Sequence, residues 1–204
     1  MQKLDKLNVA FGSIQPPSTS EARLQPLILP ITFLSLCAVA IPRPLDPSSL
    51  PLVRSLHLTY QTCQPLRLLL PQLASLHVVG AGSMADLSIP IQQSTSITSL
   101  SIRYGHIGEL DDASKTAIKE KIVELRLWVA GLTNISDSGL ATTIAGSKAM
   151  RKVILDAFYL SLAAQVGPRF LETLKVVKAA CKKKNIELWK ETFEVGNGKV
   201  DLEK

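Results

Sequence analysis

The sequence predicts an α/β solenoid: a curved parallel sheet on a concave face, with loops and then helices on the convex face. Three observations predict it. The phrase apolar-x-x-apolar-x-apolar, as in Ile97-Thr-Ser-Leu100-Ser-Ile102 and Ile122-Val-Glu-Leu125-Arg-Leu127, recurs along nearly the whole chain. Its copies start 27, 22, 20, 24, 25, 28 and 33 residues apart, a near-period that marks stacked supersecondary units. A further apolar or weakly polar residue stands ten positions after seven of the eight starts.

The copies run in order as Leu4, Leu7 and Val9; Ile31, Leu34 and Leu36; Val53, Leu56 and Leu58; Leu73, Leu76 and Val78. The two phrases quoted above follow, then Met150, Val153 and Leu155, and finally Lys183, Ile186 and Leu188. The second apolar set is Ile14, Ile41, Cys63, Ser83, Ile107, Leu132, Leu160 and Phe193, with Ser83 as the exception. In each copy a short strand alternates its side chains, sending the apolar ones to the interior and the intervening ones outward. One such strand cannot form a core, so stability requires stacking against its neighbours.

Composition suits that plan. Of 204 residues 46% are hydrophobic, which excludes bulk disorder, and only 5% are aromatic, so the core must be aliphatic. The formal net charge of +6 comes from 23 bases mixed with 17 acids. Lys182, Lys183 and Lys184, with Lys175 and Lys178, read as a solvated helix end, and no nucleic-acid partner is expected without a broader basic stripe. Cys37, Cys63 and Cys181 are an odd count without a close-spaced pair, which argues against a disulfide framework and a zinc knuckle, so they read as reduced thiols of an intracellular protein, cytoplasmic or nuclear. The apolar run from Pro26 to Pro42 is too short to span a bilayer and is interrupted by Pro30. Its Ala38-Val39-Ala40 pattern is similar to a signal cleavage site, yet the run is internal and contains the second phrase. No membrane association is expected.

The return paths change character along the chain. Pro16, Pro17, Pro42, Pro44, Pro47, Pro65, Pro71 and Pro90 disfavour long helices in the first half. Later paths carry helix signals. Asp111 or Asp112 caps a helix through Ala117–Lys121, and Ser136 or Asp137 caps one through Gly139–Ala145. Pro168 suits the first turn of a helix through Phe170–Ala180, with Phe170, Leu171, Leu174, Val177 and Cys181 on one apolar face. Cys181 therefore reads as core. Repeats are expected over residues 1–191, and Asn197-Gly198 signals a hairpin in the 192–204 segment, which serves as a cap or tail. No polar cap precedes the first copy, so an upstream domain is expected beyond these residues.

The phrase resembles the leucine-rich-repeat family, whose unit reads L-x-x-L-x-L-x-x-N/C-x-L. This chain departs at the ninth slot, which holds Gly12, Val39, Gln61, Ala81, Gly105, Ala130, Phe158 and Glu191 in place of Asn or Cys. That departure excludes a buried asparagine ladder and points to the irregular intracellular branch, including the repeat regions of fungal F-box-like proteins. The resemblance implies protein recognition on the concave face and substrate recruitment as a cullin-type ubiquitin-ligase adaptor. The F-box itself is not among these residues.

Stacking the phrases defines the outward columns. The central one is Asn8, Ser35, His57, His77, Ser101, Arg126, Ile154 and Glu187; the flanking one is Ala10, Cys37, Thr59, Val79, Arg103, Trp128, Asp156 and Trp189. His57, His77, Arg103, Arg126, Trp128 and Trp189 are the candidate protein-binding residues, since Arg and Trp dominate interface hot spots. The alternative for the two tryptophans is that they fold over the solenoid's end. His57, His77 and Cys37 would be three metal ligands without a fourth, so no metal is expected. No Ser-His-Asp order, carboxylate pair or phosphate loop is present, and no enzyme activity is expected. The rival reading is a nucleotide-cofactor enzyme built on Gly80-Ala81-Gly82-Ser-Met-Ala85, a G-x-G-x-x-A turn after an apolar strand. Against it, Pro90 breaks the helix that should follow, and no acid lies between Asp86 and Glu109 to hold a ribose. No cofactor is therefore expected.

Overall fold

In residues with period-two alternation the strand buries one side-chain set and presents the other, and this is how the apolar phrase folds. A computed structural model of the chain describes residues 6–13, 31–40, 51–59, 70–80, 87–103, 107, 110–128, 138–156, 168–191 and 198–199. The protein is α/β, and its chain divides into two compact units, Met1–Ile97 and Thr98–Lys204.

The first unit contains β1 (Lys6–Ser13), β2 (Phe33–Ala40), β3 (Ser55–Thr59), β4 (Ser75–Val79) and the short helix α1 (Ser88–Gln93). The strands pair in chain order and all in parallel. Leu7, Leu34, Leu56 and Leu76 stand in one row, and Val9, Leu36, Leu58 and Val78 in the next, as the phrase predicts. Leu34, Leu56 and Leu76 are buried, and so are the first-slot residues Ile31, Val53 and Leu73. Residues 33–40 of the apolar run, Ala38-Val39-Ala40 included, form strand β2, and no helix among the described residues is long and apolar enough to cross a membrane.

Register is fixed at the strand entrances. Thr32 O accepts the amides of both Arg54 and Ser55, and Arg54 O accepts those of Ala74 and Ser75. Pro90 does not break the helix after β4, contrary to expectation. It sits in the first turn of α1, where the backbone N–H groups have no intrahelical partner to lose. The helix is nevertheless only six residues long.

The second unit contains β5 (Ser99–Arg103), α2 (Asp112–Lys121), β6 (Glu124–Trp128), α3 (Ser138–Gly146), β7 (Lys152–Asp156), α4 (Pro168–Lys184), β8 (Glu187–Glu191) and β9 (Gly198–Lys199). Strands β5 to β8 are parallel in chain order, and β9 pairs antiparallel with β8. Leu100, Leu125, Val153 and Leu188 form one inward row, each 0% exposed, with Ile118, Ile144, Val177 and Cys181 of the helices also buried. Of the second apolar set, Ile107 is buried; the other seven positions lie outside the described residues.

The helices begin where the sequence predicts. Asp111 is the N-cap of α2, its carboxylate accepting the Ser114 amide at 2.7 Å. Pro168 opens α4. The α3 cap candidates Ser136 and Asp137 lie outside the described residues. The buried face of α4 runs through Thr173, Val177 and Cys181, while Leu174 is only half-buried.

Two expectations at the end of the chain need correction. Helix α4 runs on through Lys183, the expected first slot of the last phrase, to Lys184; Asn185 then turns the chain with φ 55°. Leu188 consequently pairs with Val153, and Trp189 with Ile154, two residues away from the predicted register. Gly198, expected at a turn, instead stands in a strand and pairs antiparallel with Lys190, while residues 192–197 lie outside the described residues.

Hydroxyl groups join successive return paths. Ser94, buried, donates its Oγ–H to Leu70 O at 3.0 Å in the first unit. In the second, Ser147 donates to Lys119 O at 3.3 Å and accepts the Met150 amide at 3.0 Å. Both serines stand three positions before a first-slot residue, Ile97 or Met150.

Candidate functional site

The candidate site is the set of outward-pointing strand residues, which each unit builds by the same alternation. In the first unit, Ser35, His57 and His77 stand in one row across β2, β3 and β4. The two imidazoles pack edge to face, centroids 4.3 Å apart and planes at 88°. Both rings are half-buried. No group of three or more His, Cys, Asp or Glu side chains suited to a metal occurs among the described residues. The side chain of Cys37 is not among those described. Gly80 follows β4 with φ 72°, a conformation that favours glycine, and residues 81–86 of the G-x-G-x-x-A turn lie outside the described residues.

In the second unit the outward side chains form adjacent rows. Glu124, Lys152 and Glu187 occupy one row across β6, β7 and β8. Lys152 Nζ lies 3.7 Å from Glu124 Oε2 and 4.9 Å from the centre of the Trp189 ring. The Trp189 indole N–H in turn donates to Glu187 Oε2 at 2.9 Å. The next row is Ser101, Arg126, Ile154 and Trp189. Beyond it Trp128 pairs with Asp156, and Asp156 with Glu191.

Trp189 is therefore placed in the Arg126 row, and Glu187 beside Lys152, where the predicted columns put both one step further along. Trp128 and Trp189 lie in different rows, and only the backbone of Trp128 is described. The face is also not uniformly open: Ser101 is 8% exposed and Ile154 1%, against half-buried Arg103, Arg126 and Trp189. The Glu124–Lys152–Glu187 row escaped the sequence reading. Its signal was present, since Glu124 and Lys152 occupy the same slot of successive phrases with opposite charge.

Comparison of the chain with protein-family models, with curated proteins and with solved structures finds no match.

Proposed function

We propose that this chain is a curved solenoid of the leucine-rich-repeat kind whose concave strand face recognises a protein partner without catalysing a reaction. One observation carries the reading. Parallel sheets are ordinarily covered on both faces and read as apolar throughout. Here the strands alternate apolar-in with polar-out, and Arg126, Lys152, Glu187 and Trp189 stand half-buried or exposed on the outward side. A face of that composition, with Arg and Trp among its members, has the chemistry of an interface. His57, His77, Arg103, Arg126, Trp128 and Trp189 are the residues assigned to contact the partner. Within this reading, the resemblance to F-box-like repeat regions makes substrate recruitment for a cullin-type ubiquitin ligase, in cytoplasm or nucleus, the specific role to test.

Photo-crosslinking from chosen positions tests it. A benzophenone side chain replacing Trp189 should capture protein partners in cells, whereas the same group replacing Lys175, exposed on α4, should not. Ligase components among the captured proteins support the adaptor role. Capture from the helix position alone, with the chain folded, removes the concave-face reading.

A further inference from the structure

We propose that β1 pairs edge to edge with β1 of a second copy of this chain, antiparallel about a two-fold axis at Val9, so that the first unit's sheet continues across a homodimer. This contact is independent of partner recognition on the outward face. Its basis is the direction of the backbone. In a strand the N–H and C=O of one residue aim to the same side, and those of the next residue to the other. Thr32 O accepts the Ser55 amide and Arg54 O the Ser75 amide, so that row of the sheet aims its amides at the preceding strand. Lys6 belongs to the same row, paired with Phe33, which pairs with Ser55, which pairs with Ser75. The strands are parallel, so Lys6 and, by alternation, Asn8, Ala10 and Gly12 aim their amides and carbonyls away from β2. No strand among the described residues lies beyond β1 to take them.

The residues of that edge say what takes them. Edge strands are ordinarily guarded by charge, proline or short length. In the second unit the strand that follows β8 is so guarded: β9 has only two residues, one of them Lys199. Strand β1 has eight residues and, from Leu7 to Ser13, neither charge nor proline. It is also its own complement. Turned about Val9, Asn8 of one copy faces Ala10 of the other, and Lys6 faces Gly12, so every residue with outward-aimed backbone falls in a hydrogen-bonded pair. Leu7, in the row of buried Leu34 and Leu56, then stands opposite Phe11, and Val9 opposite itself, which keeps apolar residues together and opposes no like charges. A two-fold contact needs the same patch on both copies, and a self-complementary strand supplies it.

The test uses the full chain. Sedimentation velocity over about 1–100 μM should show a monomer passing to a dimer. In a Cys37→Ser, Cys63→Ser background, where Cys181 is buried, Val9→Cys should give a covalent dimer on a non-reducing gel after mild oxidation with diamide. Opposed residues at a non-hydrogen-bonded position have Cα atoms about 4.5 Å apart, within disulfide reach. Leu7→Cys should not crosslink, because the two copies of that residue lie about 13 Å apart in this register. Ala10→Pro removes only an amide aimed away from β2, so it should abolish the dimer and keep the melting temperature. Val9→Pro removes an amide aimed at β2 and should lower the melting temperature. A chain that stays monomeric throughout, a dimer that survives Ala10→Pro, or equal crosslinking through Leu7→Cys and Val9→Cys overturns the proposal. So does a monomer whose Val9→Cys crosslinks in cells to a different protein, which would give the edge another occupant. Should Ala10→Pro fail to fold, the cysteine pair still decides.

Discussion

Lys152 and Trp189 meet across β7 and β8 with the ammonium 4.9 Å from the ring centroid, and each is held by a second group, Glu124 for the lysine and Glu187 for the indole. Four side chains of the outward face are thereby ordered without contributing to the core. Replacing Lys152 with Met should lower stability by only about 1 kcal/mol or less, because cation–π contacts and ion pairs at partly exposed sites are weak. The same change should shift Trp189 fluorescence, measured in a Trp128→Phe background so that one indole reports. A loss several times larger would mean that the row supports the fold rather than the surface.

Leu100 and Leu125 are each 0% exposed and pair across β5 and β6. Truncating either to Ala should cost about 2–5 kcal/mol in urea unfolding, the usual range for a buried leucine that leaves a cavity. Val123, 37% exposed at the entrance to β6, should change stability by less than about 0.5 kcal/mol when replaced by Ala. Equal effects at the two kinds of site would contradict the inward assignment.

Both bridging serines should contribute measurably to stability. Ser94→Ala removes the bond to Leu70 O, which keeps the Leu73 amide as a donor, and should cost at least about 0.5–1.5 kcal/mol. Ser147→Ala strips the Met150 amide of its acceptor in a buried site and should cost about 1–3 kcal/mol. Thermal melts of the two variants beside the parent chain check both losses, and a neutral result at either serine would contradict its bridging role.

Cys181 is 0% exposed on α4, and burial pushes its thiol up from an ordinary value near 9 to about 12. The folded chain therefore keeps the neutral thiol where the unfolded chain would ionise it. This group's contribution to stability is full below pH 9 and falls between about 9 and about 12, where only the unfolded form loses the proton. In a Cys37→Ser, Cys63→Ser background, a thiol reagent at pH 8 should label Cys181 only after urea unfolding. Rapid labelling of the native protein would place the thiol outside the core.

Most of the sheet was legible because alternation leaves a strong mark. A strand displaced by one residue would expose its whole apolar set, so Leu34, Leu56 and Leu76, and likewise Leu100, Leu125 and Val153, could be aligned by hand. The last strand shows the limit of that logic. A displacement of two residues keeps Leu188 inward and Trp189 outward, so hydropathy cannot tell the two registers apart. The deciding feature was Asn185, a left-handed helix terminator after a lysine-rich last turn. The Pro90 turn misled for a related reason: proline forbids the helix interior but not its opening, and only the position of the first turn separates the cases. The burial of Ser101 and Ile154 had no sequence signal, because it depends on what packs over an outward slot and not on the slot itself.

The serine bridges bear on how such a chain tolerates changes of length. Ser94 reaches back 24 residues to Leu70, and Ser147 reaches back 28 to Lys119, yet each makes the same kind of joint three positions before its strand's first buried residue. Spacing between neighbouring strands is thus held at the joint, whatever the length of chain that leads to it. Insertions and deletions can accumulate ahead of the joint without displacing the strand that follows, whereas a single residue added between Ser147 and Met150 parts the hydroxyl from its amide.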